Sequence, residues 1–130
     1  MEVVNGIYDI LCALSIVNIT NIPILNDLHT SMIVESERNN PLIQRFYAYW
    51  IFTYGVMRIY GGYNLVAISY YIEAGMIANE CFIHNTMVLD KSIFVIVVSL
   101  LLGFYMNNQY FDFCIARNKI NNPTTLMDAK

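Results

Sequence analysis

Four predominantly apolar stretches, at about residues 3–24, 42–62, 65–83 and 88–106, take up most of the chain. The second contains RFYAYWIFTYGVMR, in which one Thr interrupts an apolar, aromatic and small-residue run between Arg45 and Arg58. Crossing a hydrocarbon core of ~30 Å takes about 20 mostly apolar residues. Inside lipid every backbone amide and carbonyl must find a partner within the protein, which restricts such stretches to helices or closed barrels. The charge content points the same way. Only 13% of residues are charged against 57% hydrophobic, whereas soluble domains carry about 25% charged residues. Too few charges remain to coat a water-exposed surface. The expected fold is all-α, an integral membrane bundle of four transmembrane helices over residues 1–106, followed by a polar C-terminal tail at 107–130.

The first stretch is polar for a lipid-facing helix, because it holds Asn5, Asp9, Asn18 and Asn21. These groups should face protein or an interface. No Lys or Arg precedes its apolar run, so it reads as a retained membrane segment and not as a cleaved signal. The linker at 25–41 is acidic, with Asp27, Glu35 and Glu37 beside Arg38. Between the second and third stretches stand only Gly61, Gly62, Tyr63 and Asn64, and Gly and Asn tolerate positive φ in tight reversals. Helices 2 and 3 are therefore expected to form a tight antiparallel hairpin. In the tail, residues 110–116 have the character of an interfacial helix and the rest reads as extended. Four spans place both termini on one side of the membrane, and Arg117, Lys119 and Lys130 assign that side to the cytoplasm or matrix.

A hairpin folded between residues 62 and 63 puts residues whose numbers sum to 125 at equal depth. Arg45 and Glu80 meet that condition, so an Arg45–Glu80 ion pair or network is expected at the far interface. Arg58 should reach the head groups near the turn. Glu73 lies about two turns before Glu80 on the same helix face, too deep to meet lipid as an anion. It is expected to be a buried, hydrogen-bonded carboxyl that fixes packing; a proton or ligand site is the sharper alternative. Asn79 and Trp50 are further candidates for buried polar or interaction roles. Ten of the 18 aromatic residues fall between Phe46 and Tyr71, which makes these helices either a packing surface or the wall of a lipid groove. Ala74, Gly75 and Ala78 form a small-residue patch suited to close helix approach.

Several function classes lack their signatures. A net charge of −3 with no basic block gives nucleic acid nothing to bind. No phosphate-binding loop, nucleophile elbow or metal-spaced cluster occurs. Cys12, Cys81 and Cys114 form no CxxC pair, and His29 and His84 stand apart. No catalytic, cofactor or metal site is expected.

Arg45, Ala48, Trp50 and Arg58 in the second stretch, with Glu80 followed six residues later by Thr86, resemble the pattern of the ergosterol biosynthetic protein 28 family. The turn is shorter here, Ala48 replaces a usual glycine, Met76 stands where a histidine is usual, and Glu73 is an addition. The resemblance covers roughly residues 43–106. It implies a small four-span endoplasmic-reticulum scaffold, not an enzyme, that tethers the sterol C-4 demethylation enzymes. Its partners would be other integral membrane proteins of a complex and membrane lipid, with a sterol or an anionic lipid as candidates. Two alternatives remain open on the residues alone. One is an accessory subunit of a mitochondrial inner-membrane respiratory complex or ATP synthase. The other is a small transporter or channel using Glu73.

Overall fold

The computed structural model describes residues 1–122, and the final residues of the expected tail, 123–130, lie outside the described residues. All elements are helical: α1 (Glu2–Ile16), α2 (Pro23–Thr30), α3 (Glu35–Arg38), α4 (Pro41–Tyr60), α5 (Tyr63–Phe82) and α6 (Leu89–Asn121). A single isolated bridge, Ile33 to Met87, joins the loop before α3 to the loop after α5.

The first apolar stretch does not form one span-length helix. α1 stops at Ile16 because Asn18 takes a left-handed conformation, φ 59°. The Ile19 amide then returns to the Leu14 carbonyl at 2.9 Å and the Asn18 amide to that of Ser15 at 3.2 Å. These are the paired bonds of a Schellman ending, with Asn supplying the positive φ. At 15 residues, α1 is about 22 Å long. Pro23 then opens α2, since a proline at the first helical position gives up no needed hydrogen bond.

α4 begins on Pro41, with the Asn40 side chain accepting from the Leu42 amide at 3.0 Å. The link to α5 is tighter than a four-residue turn, and its geometry differs from the expected one. Gly61 and Gly62 are both extended, with φ of −77° and −73°, and Asn64 already lies inside α5, exposed. Neither glycine uses positive φ. Gly61 is needed for space, because a Cβ there would lie 2.4 Å from the Met57 carbonyl oxygen.

Among the described residues α6 is the one helix both long and apolar enough to cross a membrane. α4 and α5 have the length, 20 residues each, but their tyrosines, Asn and Gln lower their hydropathy. α6 runs through Met106 without a break to Asn121, so residues 107–121 continue the helix where a separate interfacial helix and extended chain were expected.

The packing partners also differ from a tight hairpin. α4 packs mainly against α1, and α5 mainly against α6, with few contacts between α4 and α5. The reason lies in where the small residues point. Gly6 of α1 and Gly55 of α4 sit backbone to backbone: a Cβ on Gly6 would come within 2.7 Å of the Gly55 carbonyl, and one on Gly55 within 2.8 Å of the Gly6 carbonyl. Gly103 of α6 lies under the Tyr71 ring of α5. Gly75, expected in a small-residue packing patch, faces open space, while Ala74 is buried and Ala78 half-buried. Three apolar clusters complete the interior. Cys12, Ala13, Ile16, Ala48 and Ile51 join α1 to α4. Met32, Ile77, Cys81 and Met87 fasten the loops to α5. Val66, Ala67, Tyr70 and Met106 join α5 to α6.

Candidate functional site

The α1–α4 glycine crossing sets up the most polar feature of the interior. Asp9 follows Gly6 by three residues and Arg58 follows Gly55 by three, so each charge lies one turn beyond the point of closest approach. Arg58 is 4% exposed and Asp9 6%. The guanidinium Nη1 donates to Asp9 Oδ2 at 2.5 Å. Nη2 donates to Glu73 Oε2 of α5, and Nε to the Ser69 hydroxyl at 3.3 Å. The Ser69 hydroxyl in turn donates to the Val66 carbonyl. Ser99 of α6 donates to Glu73 at 3.1 Å. The guanidinium carbon lies over the Tyr70 ring, 4.0 Å from its centroid, and the Tyr70 hydroxyl accepts from Asn5 of α1. One arginine thus ties α1, α4 and α5 together, and Ser99 brings in α6.

Arg58 therefore does not reach the head groups as expected; it is the centre of the bundle. A buried cation is tolerated only with good partners, and the guanidinium fork satisfies two carboxylates and a hydroxyl at once. Glu73 is half-buried, its side chain 19% exposed, and is hydrogen-bonded to Arg58 and Ser99. Asp9 is the partner that depth counting along the hairpin missed. The usable signal was the shared Gly-x-x-charge spacing in two different segments.

Arg45 and Glu80 do not meet. Among the described residues no ion pair joins them; Arg45 is exposed, because α4 and α5 turn their packing faces to different neighbours. Glu80 instead holds Thr86. The Thr86 hydroxyl donates to Glu80 Oε2 at 2.5 Å and its amide to the Glu80 carbonyl at 3.0 Å, with Asn85 in a left-handed conformation to make the return. Thr86 then accepts from the Val34 amide, and the Val88 amide donates to Met32. The Glu80–Thr86 pair thus ends α5 and stitches its loop to the segment before α3. The Asn79 carbonyl accepts from the Ile83 and His84 amides in the same ending. Trp50 is half-buried, its ring 5.8 Å from that of Tyr54. His29, on the short α2, lies beside Tyr8 and Tyr47. Burial holds its imidazole below the usual pKa, so the ring is neutral at pH 7.

The two arginines should therefore behave oppositely. Arg45→Ala is expected to change stability by less than about 0.5 kcal/mol, measured as the thermal midpoint in detergent. Thr86→Ala should cost about 1–3 kcal/mol, because it leaves the Glu80 carboxylate without its hydroxyl donor, and should speed amide exchange at Val34 and Val88.

A cavity of about 560 Å³ opens onto the cluster, lined by Asp9, Glu73 and Asn5 together with Leu28, Phe94 and Val98 among others. Such a volume is in the range of small-molecule sites. Among the described residues no group of three or more His, Cys, Asp or Glu side chains is arranged to hold a metal ion.

The chain matches the family described as Erg28 like protein over residues 9–104, about three-quarters of its length. It belongs to the Erg28-like family. Neither a curated protein nor a solved structure matches it. The match runs from Asp9 to one residue past Gly103, and so takes in the whole charged cluster and the Glu80–Thr86 pair. Family membership associates the chain with membranes and with sterol biosynthesis, in the manner of an accessory protein.

Proposed function

We infer that this Erg28-like chain is a non-catalytic membrane scaffold that holds the enzymes of sterol C-4 demethylation together through helix–helix contacts. The family match over residues 9–104 carries the reading. In it, α4, α5 and α6 cross an endoplasmic-reticulum membrane, and α1, about 22 Å long, is held in the bundle against α4. The distribution of side chains supports it. Charges gather at the centre, while Ile7, Phe46, Tyr49, Phe94, Leu101 and Phe104 point outward. In water that surface would drive aggregation; in lipid it meets acyl chains, and against partner helices it packs. The family match lends no support to a mitochondrial inner-membrane subunit or to a transporter, and Glu73 is held by Arg58 and Ser99.

The test is purification of a tagged full-length chain from native membranes with identification of what accompanies it. Sterol-modifying oxidoreductases of the C-4 demethylation step are the expected partners, and deletion should raise C-4-methylated sterols. Recovery with respiratory or ATP-synthase subunits and an unchanged sterol profile would contradict the reading.

A further inference from the structure

Two features of the large cavity bear on what it takes. The first is charge. Asp9 and Glu73 share one cation, Arg58, so the inner end of the cavity carries one formal negative charge more than it neutralises. Asp90 and Lys91, the other charged residues lining the cavity, are exposed and cancel each other. The second is hydrogen bonding. Nε, Nη1 and Nη2 of Arg58 are all engaged, and the Ser99 hydroxyl is spent on Glu73. Asp9 Oδ1 and Glu73 Oε1, by contrast, accept no hydrogen bond from the described residues. The inner end carries the excess negative charge and these two free carboxylate oxygens beside the Asn5 amide and the Tyr70 hydroxyl, whereas the walls, with Leu28, Met32, Phe94, Val98 and Leu102, are apolar.

We propose that this cavity binds a single-chain amphiphile with a protonated amine head group. The ammonium donates to Asp9 Oδ1 and Glu73 Oε1 and cancels the excess charge, and the alkyl chain runs along the α6 face past Val98 toward Phe94. Charge complementarity selects the head group: a carboxylate or phosphate would be repelled, and a neutral hydroxyl would donate one hydrogen bond without cancelling the charge. The inference is independent of which proteins the chain assembles with.

The test is native mass spectrometry of the full-length protein in a neutral detergent, titrated with hexadecylamine, hexadecanol, hexadecanoic acid and cholesterol. The amine should bind about tenfold more tightly than hexadecanol or cholesterol, and the acid most weakly. Glu73→Gln should bring the amine down to the level of hexadecanol. Val98→Trp, which fills the cavity and leaves the charged cluster alone, should abolish binding of the amine while the circular dichroism spectrum stays helical. Equal binding of amine and alcohol, tighter binding of the acid or of cholesterol, absence of amine binding, or amine binding that survives Val98→Trp would each overturn the proposal. If Glu73→Gln does not fold, the wild-type ranking of the four probes decides.

Discussion

Arg58→Met should cost about 3–5 kcal/mol of stability, the range seen when one partner of a buried ion pair is removed. That is a large share of the ~5–15 kcal/mol that holds a domain folded. The substitution leaves Asp9 and Glu73 with no cation, and it removes the donor to the Ser69 hydroxyl as well. The readout is the yield of monodisperse protein after detergent extraction, together with the thermal midpoint. Arg58→Lys should rescue only part of the loss, because an ammonium on a flexible stem cannot reproduce the fork that serves two carboxylates and a hydroxyl together. Arg45→Ala provides the contrast on the same helix.

The second large effect belongs to the α1–α4 crossing. Gly55→Leu places a branched side chain where even a Cβ would lie 2.8 Å from the Gly6 carbonyl oxygen and 2.7 Å from Ile10 Cγ1. Backbone cannot give way as a flexible side chain does, so α1 must separate from α4. The cost is expected to be at least about 3 kcal/mol, the upper end of the overpacking range. It should also pull Asp9 away from Arg58, because both charges hang one turn from the two glycines. Gly75→Leu is the matched control: the same substitution, also within a helix, but with nothing within 4 Å of the added Cβ. Its stability should equal or slightly exceed wild type, since leucine favours helix over glycine by up to about 1 kcal/mol. Equal losses at Gly55 and Gly75 would mean that the close α1–α4 crossing does not govern the effect.

Much of the helical layout was legible in the residues, since apolar runs bounded by Pro23, Pro41 and the Gly61–Gly62 pair mark where most helices begin and end. Two things were not. The end of α1 at Ile16 depends on Asn18 adopting positive φ, which any single asparagine in an apolar run permits but does not require. Pairing of charges depends on which helices lie side by side, and periodicity along one helix does not carry that information. Counting depth about the turn assumed that α4 and α5 pack on each other and so matched Arg45 to Glu80. The helices instead follow their glycines, Gly55 toward α1 and Gly103 toward α5. For Glu73, depth along the helix pointed to a need for a partner whatever the neighbour, and the side chain is half-buried against Arg58 and Ser99. Its partner was not readable, because Arg58 also had a plausible route to the surface.

The Asp9–Arg58–Glu73 cluster joins the bundle as one coupled unit. A thermal-unfolding cycle in detergent over wild type, Arg58→Met, Asp9→Asn/Glu73→Gln, and the triple variant combining them measures that coupling. Removing the carboxylate charges along with the arginine leaves no unpaired buried ion, and an apolar or neutral replacement of a whole buried network is often tolerated. The triple variant should melt well above Arg58→Met, recovering about 2 kcal/mol or more of the loss. A triple variant no more stable than Arg58→Met, with the losses simply adding, would show that the three side chains do not act together.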